Sequence, residues 1–400
     1  MSRLPPRPRS AGRPARPAGF TLVELLVAAT LALVVMAALA SLFGIFGRAV
    51  ADSQDLVQLG ARMRSAAWRL RQDLQGVTTE VKAFIRPESA CGYFEIIEGP
   101  MVETSTAMVA DVDDILMLTT ASPGRPFTGL LSGTVSFESP VAEVAWFCKQ
   151  GPPTADGLQL YNLYRRQLLV SAAPGAGAMQ STNSVASSTW DAFYLTNDLS
   201  VRLEGGTLIA NSLADLVRRQ SRFMHNPLGT VNPSVLATWP QITTGSASTT
   251  GEILAGVREG EDLMLANVTA FDVRVFDPQQ ATVTITGTTF GAYADLGGGG
   301  SASLGGSGAA AFTGMPAGAK VYDTWSLHTE FNNVTDGSVQ DQGTNLADNN
   351  GNGVVDDAGE LEASPPYNVP LRGVEIRIRC YDPSSQEVRQ ITVQHSFIAR

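Results

Sequence analysis

Apolar residues along the chain change period three times. From Phe20 to Phe46 they run almost unbroken for 27 residues, and the only charge among them is Glu24. As a helix this run is about 40 Å long, enough to cross a bilayer core of about 30 Å. Beyond it, Leu56, Leu59, Met63, Ala67, Leu70, Leu74 and Val77 recur at three- and four-residue spacing, the stripe of an amphipathic helix. Asp52, Asp55, Arg62, Arg64, Arg69, Arg71 and Asp73 are assigned to the remaining faces. The pattern predicts one long helix from about Phe20 to about Leu74, its first half in a membrane and its second half packed on a globular head.

After residue 80 the period shortens. Residues 93–97, 114–119, 143–148 and 158–164 read as short strands bounded by Gly, Pro and Asp clusters. The last two flank Gly151–Gly157 and form an expected hairpin. Residues 171–260 are mostly small and polar, with a short helix expected at Asn211–Met224 and no role assigned to the region. Asn267–Pro278 and Val374–Pro383 are alternating strands, each ending in an aromatic residue followed by Asp-Pro. In the second, Glu375, Arg377 and Arg379 share one face, and Val374, Ile376, Ile378 and Cys380 share the other. Ile391–Phe397 is expected to pair back across Pro383–Gln386. Between the two, Gly297–Gly308 is low in complexity and reads as a flexible loop. The expected fold class is therefore α+β: a long N-terminal helix on an antiparallel β-sheet head with long loops.

Composition narrows the function. A hydrophobic content of 44% supports a proper core, and the formal net charge is −10. An acidic chain is a poor partner for nucleic acid, because phosphate contacts need a basic surface. Cys91, Cys148 and Cys380 are far apart with no CxxC, so one disulfide plus a free thiol, or buried free thiols, are both open. His225, His328 and His395 are isolated. There is no G-x-S-x-G, H-E-x-x-H or P-loop, and the expectation is a protein that is not an enzyme.

The start of the chain carries the sharpest chemistry. Five arginines (Arg3, Arg7, Arg9, Arg13, Arg16) and no acidic residue precede the apolar run. That basic flank should stay cytoplasmic, leaving the rest of the chain on the far side of the membrane. A charge at Glu24 is costly inside an apolar helix, by roughly 2.5–3.5 kcal/mol on insertion scales, and calls for a partner. No Lys or Arg in the run supplies one, so the expected partner lies on another chain. A cut between Gly19 and Phe20 would create a cationic amine at Phe20 that a neighbour's Glu24 could meet. It would also remove five positive charges, taking the net charge from −10 to −15. A secretory signal ending at Ala38-Leu39-Ala40 is the competing reading, but its apolar core would be too long and would enclose Glu24.

Gly19-Phe20-Thr21-Leu22-Val23-Glu24-Leu25-Leu26-Val27-Ala28, after a short basic leader, resembles the signal of type IV prepilins and type II secretion pseudopilins. The resemblance implies cleavage after Gly19 by a prepilin peptidase, methylation of Phe20 and an assembly role for Phe20 and Glu24. It also implies other pilin or pseudopilin subunits and an inner-membrane assembly platform as partners. Arg69–Leu74 and the two C-terminal strand motifs are similar to J-class pseudopilins and minor pilins.

Asp348 to Glu360 looks like a calcium loop of the EF-hand or dockerin type. Asp348, Asn350 and Asn352 fall at positions one, three and five, Gly353 at six, the Val354 carbonyl at seven and Asp356 at nine. Position twelve departs from that pattern, being Gly359, so Asp357 or Glu360 would have to close the site. A structural calcium ion is the expected cofactor.

The expected organisation is a cleaved leader (1–19), a membrane and filament-core helix (20–47), its amphipathic continuation (48–76) and a periplasmic β-rich head (77–400). The functional expectation is a low-copy minor pilin or pseudopilin of a type IV pilus or type II secretion filament, sited near the tip because of its bulk. A membrane-anchored or secreted calcium-binding adhesion module is the alternative.

Overall fold

The computed structural model describes residues 19–80, 89–101, 108–131, 134–171, 190–204, 207–217, 221–223, 225, 252–277, 283–285, 288–296, 320–324, 348, 351–355 and 371–398. Helix α1 (Leu22–Gln75) is continuous over both sequence patterns. The chain forms two compact units, the first ending at Val57 and the second running Gln58–Arg400.

In the second unit, strands β1 (Phe94–Glu98), β2 (Ile115–Ala121), β3 (Phe127–Leu131), β4 (Val135–Ser139), β5 (Val141–Gln150) and β6 (Tyr161–Leu169) come first. Helix α2 (Trp190–Thr196), β7 (Val201–Glu204) and β8 (Thr207–Ala210) follow. Then come β9 (Leu263–Asp277), β10 (Val283–Ile285), β11 (Thr288–Phe290), β12 (Ala292–Ala294), β13 (Lys320–Asp323), β14 (Gly373–Asp382) and β15 (Glu387–Ser396). Nine of them make one antiparallel sheet in the order β13-β1-β2-β5-β6-β9-β14-β15, with β12 added to β9. The pairs β3–β4, β7–β8 and β10–β11 are separate hairpins. The expected hairpin across 151–157 joins β5 to β6, and the one across 383–386 joins β14 to β15. The two Asp-Pro strand motifs are direct neighbours, β9 against β14.

One sheet face takes the end of α1. Met63, Ala66, Ala67, Leu70 and Leu74 pack with Phe94, Ile96, Leu116, Leu118, Val144 and Trp146 in a single core. The other face, over β1, β2, β5 and β6, is covered by the 193–223 segment through Phe193, Tyr194, Leu199, Val201, Leu208, Leu216 and Phe223. Strands β2 and β5 are buried on both sides nearly throughout, which is why they read as apolar runs rather than alternations. Over β9 and β14 the second face is charged instead. There Glu375 lies opposite Arg274 and Arg377 opposite Asp272, which pairs opposite charges across the strands.

Two expectations are corrected here. Asp73 does not face water: it is 2% exposed. Its carboxylate accepts Arg165 Nε at 2.7 Å and Nη2 at 2.8 Å, and Trp146 Nε1 at 2.9 Å. A charge can sit on the buried stripe when a two-pronged guanidinium and an indole satisfy it. The short helix expected at Asn211–Met224 is not α-helical among its described residues: Asp215–Val217 is a 3-10 turn, and Ser221 is 3-10 as well. The region around it is no bystander. Glu143 accepts Tyr93 Oη at 2.7 Å, Ser200 Oγ at 2.5 Å and the Phe223 N–H at 2.8 Å. Arg222 bridges Glu95 and Asp323 at 2.9 and 2.7 Å, and His225 Nε2 lies 2.9 Å from the same Glu95 oxygen. Cys148 and Cys380 are buried free thiols in the first core, and Cys91 is free as well.

Candidate functional site

Gly19 and Phe20 precede α1 in irregular backbone, and Phe20 is 84% exposed. Thr21 closes the helix start. Its Oγ1 accepts the Glu24 N–H at 3.2 Å, and Glu24 Oε2 accepts both the Thr21 N–H and the Thr21 hydroxyl at 3.1 Å. This reciprocal pair is a capping box, which satisfies backbone N–H groups that have no partner in the first turn. A carboxylate in the first turn also faces the positive end of the helix dipole.

Glu24 therefore has a hydrogen-bond partner, Thr21, within its own chain, and no Lys or Arg pairs with it among the described residues. The signal was present as Thr-x-x-Glu ahead of an apolar run, the spacing of a capping box. One oxygen is occupied by this cap. Oε1 carries no hydrogen bond among the described residues and is exposed to whatever lies beside the helix.

The helix beyond has no cover of its own. None of the most apolar stretch of α1 is buried. Leu22, Leu31, Val34, Phe43 and Phe46 are all exposed. Thr30 turns its hydroxyl back on the Val27 carbonyl at 2.9 Å, so its polar atom adds no break in the apolar surface. The first cation after the run, Arg48, folds its Nε back on the Gly44 carbonyl at 3.2 Å. By length and composition this helix is able to span a membrane.

Residues 15–40 match a family model described as the prokaryotic N-terminal methylation motif. The chain carries a prepilin-type methylation motif. With the long apolar helix, the motif is consistent with a type IV pilin-like protein and supports a pilin- or pseudopilin-like role. It implies processing by a prepilin peptidase and assembly with other pilins, and the helix fits a single-pass inner-membrane anchor. No curated protein and no solved structure matches the chain.

Of the expected calcium loop, Asp348 and Gly351–Val355 are described. Asn350, Asp356, Asp357 and Glu360 lie outside the described residues, as does Gly297–Gly308. Asp348 Oδ1 accepts the N–H groups of Gly351 at 2.7 Å and Asn352 at 3.2 Å, and its Oδ2 accepts that of Gly353 at 2.7 Å. Asn352 Oδ1 accepts the Val354 N–H at 2.8 Å. Gly351 and Gly353 both sit at positive φ, 72° and 89°, which lets the chain curl around the Asp348 carboxylate.

Proposed function

We propose that the chain is a minor pilin or pseudopilin of a type IV pilus or type II secretion filament. Cleavage falls between Gly19 and Phe20, the new terminus is methylated, and α1 then passes sideways from the inner membrane into a filament on an assembly platform. The observation that carries the reading is the methylation motif at residues 15–40 on a helix whose apolar surface is bare. Bare apolar helix surface is stable in lipid or against other such helices, and nowhere else. In the filament, the Glu24 oxygen left open by the cap would meet the terminal amine of an adjacent subunit. The head lies in the periplasm, opposite the basic flank. A head this large is hard to repeat along a shaft, so a low-copy position near the tip suits it; immunogold labelling spread evenly along filaments would refute that.

The test of processing is intact mass and N-terminal sequencing of the protein extracted from membranes. The expected start is N-methyl-Phe20. A chain beginning at Ser41, or an uncut chain, would overturn the proposal. We also propose a structural calcium ion in the Asp348 loop, with Asn350, Asn352, the Val354 carbonyl, Asp356 and either Asp357 or Glu360 completing it. What supports the reading is the ligand spacing, with Asp348 at position one inside a turn that curls around its carboxylate.

A further inference from the structure

A second group of carboxylates lies deep in the head. Glu98 ends β1, and Asp111 and Asp114 belong to the Asp111-Val112-Asp113-Asp114 run that leads into β2. All three are buried, and one oxygen from each lies within 4.8 Å of the others. The backbone holds them there. The Ala110 N–H donates to the Thr269 carbonyl at 2.8 Å, and the Asp111 carbonyl accepts the Phe271 N–H at 2.7 Å, which ties the run to β9. Asp114 accepts the Gly99 N–H at 3.2 Å on one oxygen and the Val273 N–H at 2.6 Å on the other. Glu98 Oε2 accepts the Leu296 N–H at 3.3 Å.

Asp111 differs from its neighbours. It is fully buried, yet among the described residues neither carboxylate oxygen has a donor other than what a proton shared with the Asp113 carboxyl would supply. One oxygen of the adjacent Asp113 is likewise without a donor, while the other accepts the Met101 N–H at 3.1 Å. No Lys or Arg forms an ion pair with Glu98, Asp111 or Asp114 among the described residues. Arg274 on β9 pairs with Asp295, and Arg377 on β14 lies 4.0 Å from Asp272. Burial, and then repulsion from the neighbouring carboxylates, pushes Glu98 up to about 9 and Asp111 up to about 11. Buried carboxyls packed against one another are relieved either by holding protons or by sharing a cation, which would displace those protons.

We propose that Glu98, Asp111 and Asp114 form a calcium site inside the head, separate from the Asp348 loop and independent of filament assembly. All the ligands are oxygens, as a hard cation requires. Three carboxylates offer up to six oxygens. Two oxygens each at a calcium distance of 2.3–2.6 Å are at most about 5 Å apart, which accommodates the observed spacing. Magnesium keeps several waters, and an enclosed site favours calcium over it. The ion would pin together the end of β1, the run before β2, the middle of β9 and the backbone at Leu296.

The test uses the full chain in detergent micelles, stripped with a chelator and then dialysed against radioactive calcium, with Tm followed by circular dichroism. The expected result is a saturable rise in Tm with calcium. In Asp111→Asn the rise is lost or reduced and one fewer ion binds per chain. The ion-free Tm of this variant should match or exceed that of the parent, because its amide gives the cluster a donor. Asp348→Asn should leave this ion bound. Should Asp111→Asn fail to fold, Glu98→Gln decides by the same readings. Equal calcium binding by parent and cluster variant, or no calcium binding by the parent, would overturn the proposal.

Discussion

Asp73→Ala is the sharpest probe of how the end of α1 is seated on the sheet. The parent carboxylate accepts a two-pronged pair of bonds from Arg165, whose side chain is 7% exposed, and a third from the Trp146 indole. Removing it leaves a buried guanidinium without its counter-ion, a loss worth about 3–5 kcal/mol when one partner of a buried pair is deleted. The indole loses an acceptor too, worth about 1–3 kcal/mol. Both losses share one carboxylate and do not add, so the total stays at about 3–5 kcal/mol. Urea denaturation of the full chain in micelles, followed by tryptophan fluorescence and far-UV circular dichroism, would measure it. The double variant Asp73→Leu/Arg165→Met should recover part of the loss, since an apolar pair has no uncompensated charge. A loss below about 1 kcal/mol, the scale of an exposed pair, would refute the buried seat for this helix end.

Three other outcomes follow from the geometry. Leu70→Ala, at a fully buried core position on the same helix face, should cost about 2–5 kcal/mol in the same urea titration. Thr21→Ala removes the cap but leaves Glu24, whereas Glu24→Ala removes both the cap and the open oxygen. Filaments counted by electron microscopy should therefore survive the first change and fail with the second; equal failure would mean that the carboxylate acts through the cap alone. The third outcome concerns pH. Burial alone would raise the Asp198 carboxyl, but Arg166 and Arg258, at 2.8 and 2.9 Å, outweigh it and hold it below the usual range. A carboxyl lowered in the folded state stabilises the fold above its unfolded pKa of about 3.9, and that contribution is lost as pH falls below it. The stability gap between the parent and Asp198→Asn should be full at pH 7 and shrink through about pH 4 and below. A gap that stays constant with pH would contradict the assignment.

How much could be read from sequence depended on how each residue is buried. The helix and its stripe were legible because Met63, Ala67, Leu70 and Leu74 repeat with the helical period and meet an apolar sheet. Strand β14 was legible because one of its faces is charged, so Val374, Ile376, Ile378 and Cys380 alternate with Glu375, Arg377 and Arg379. The cover on the other sheet face was not. Ser200 and Arg222 are fully buried polar residues held inside by Glu143, Glu95 and Asp323 on strands far away in the chain, and the buried Asn211 donates to Ser200. A hydropathy pattern reads such residues as loop. Asp73 was misplaced for the same reason. The acidic cluster escaped because Glu98 and Asp111 are neighbours only once β1 and the run before β2 have turned toward β9.

The sheet order also sets a timetable for folding. Strands β2, β5 and β6 follow one another closely in sequence and pair as neighbours, so they can zip together early. Strand β1 cannot finish with them. Its outer partner is β13, where Glu95 meets Asp323 more than two hundred residues later, and Arg222 must arrive between the two carboxylates. Pairings this distant in sequence are slow to close. Until then β1 presents an open edge and a buried-to-be carboxylate to solvent, a state prone to wrong pairing with another copy. Pulse-labelled hydrogen exchange should accordingly find the β1–β13 amides protected last.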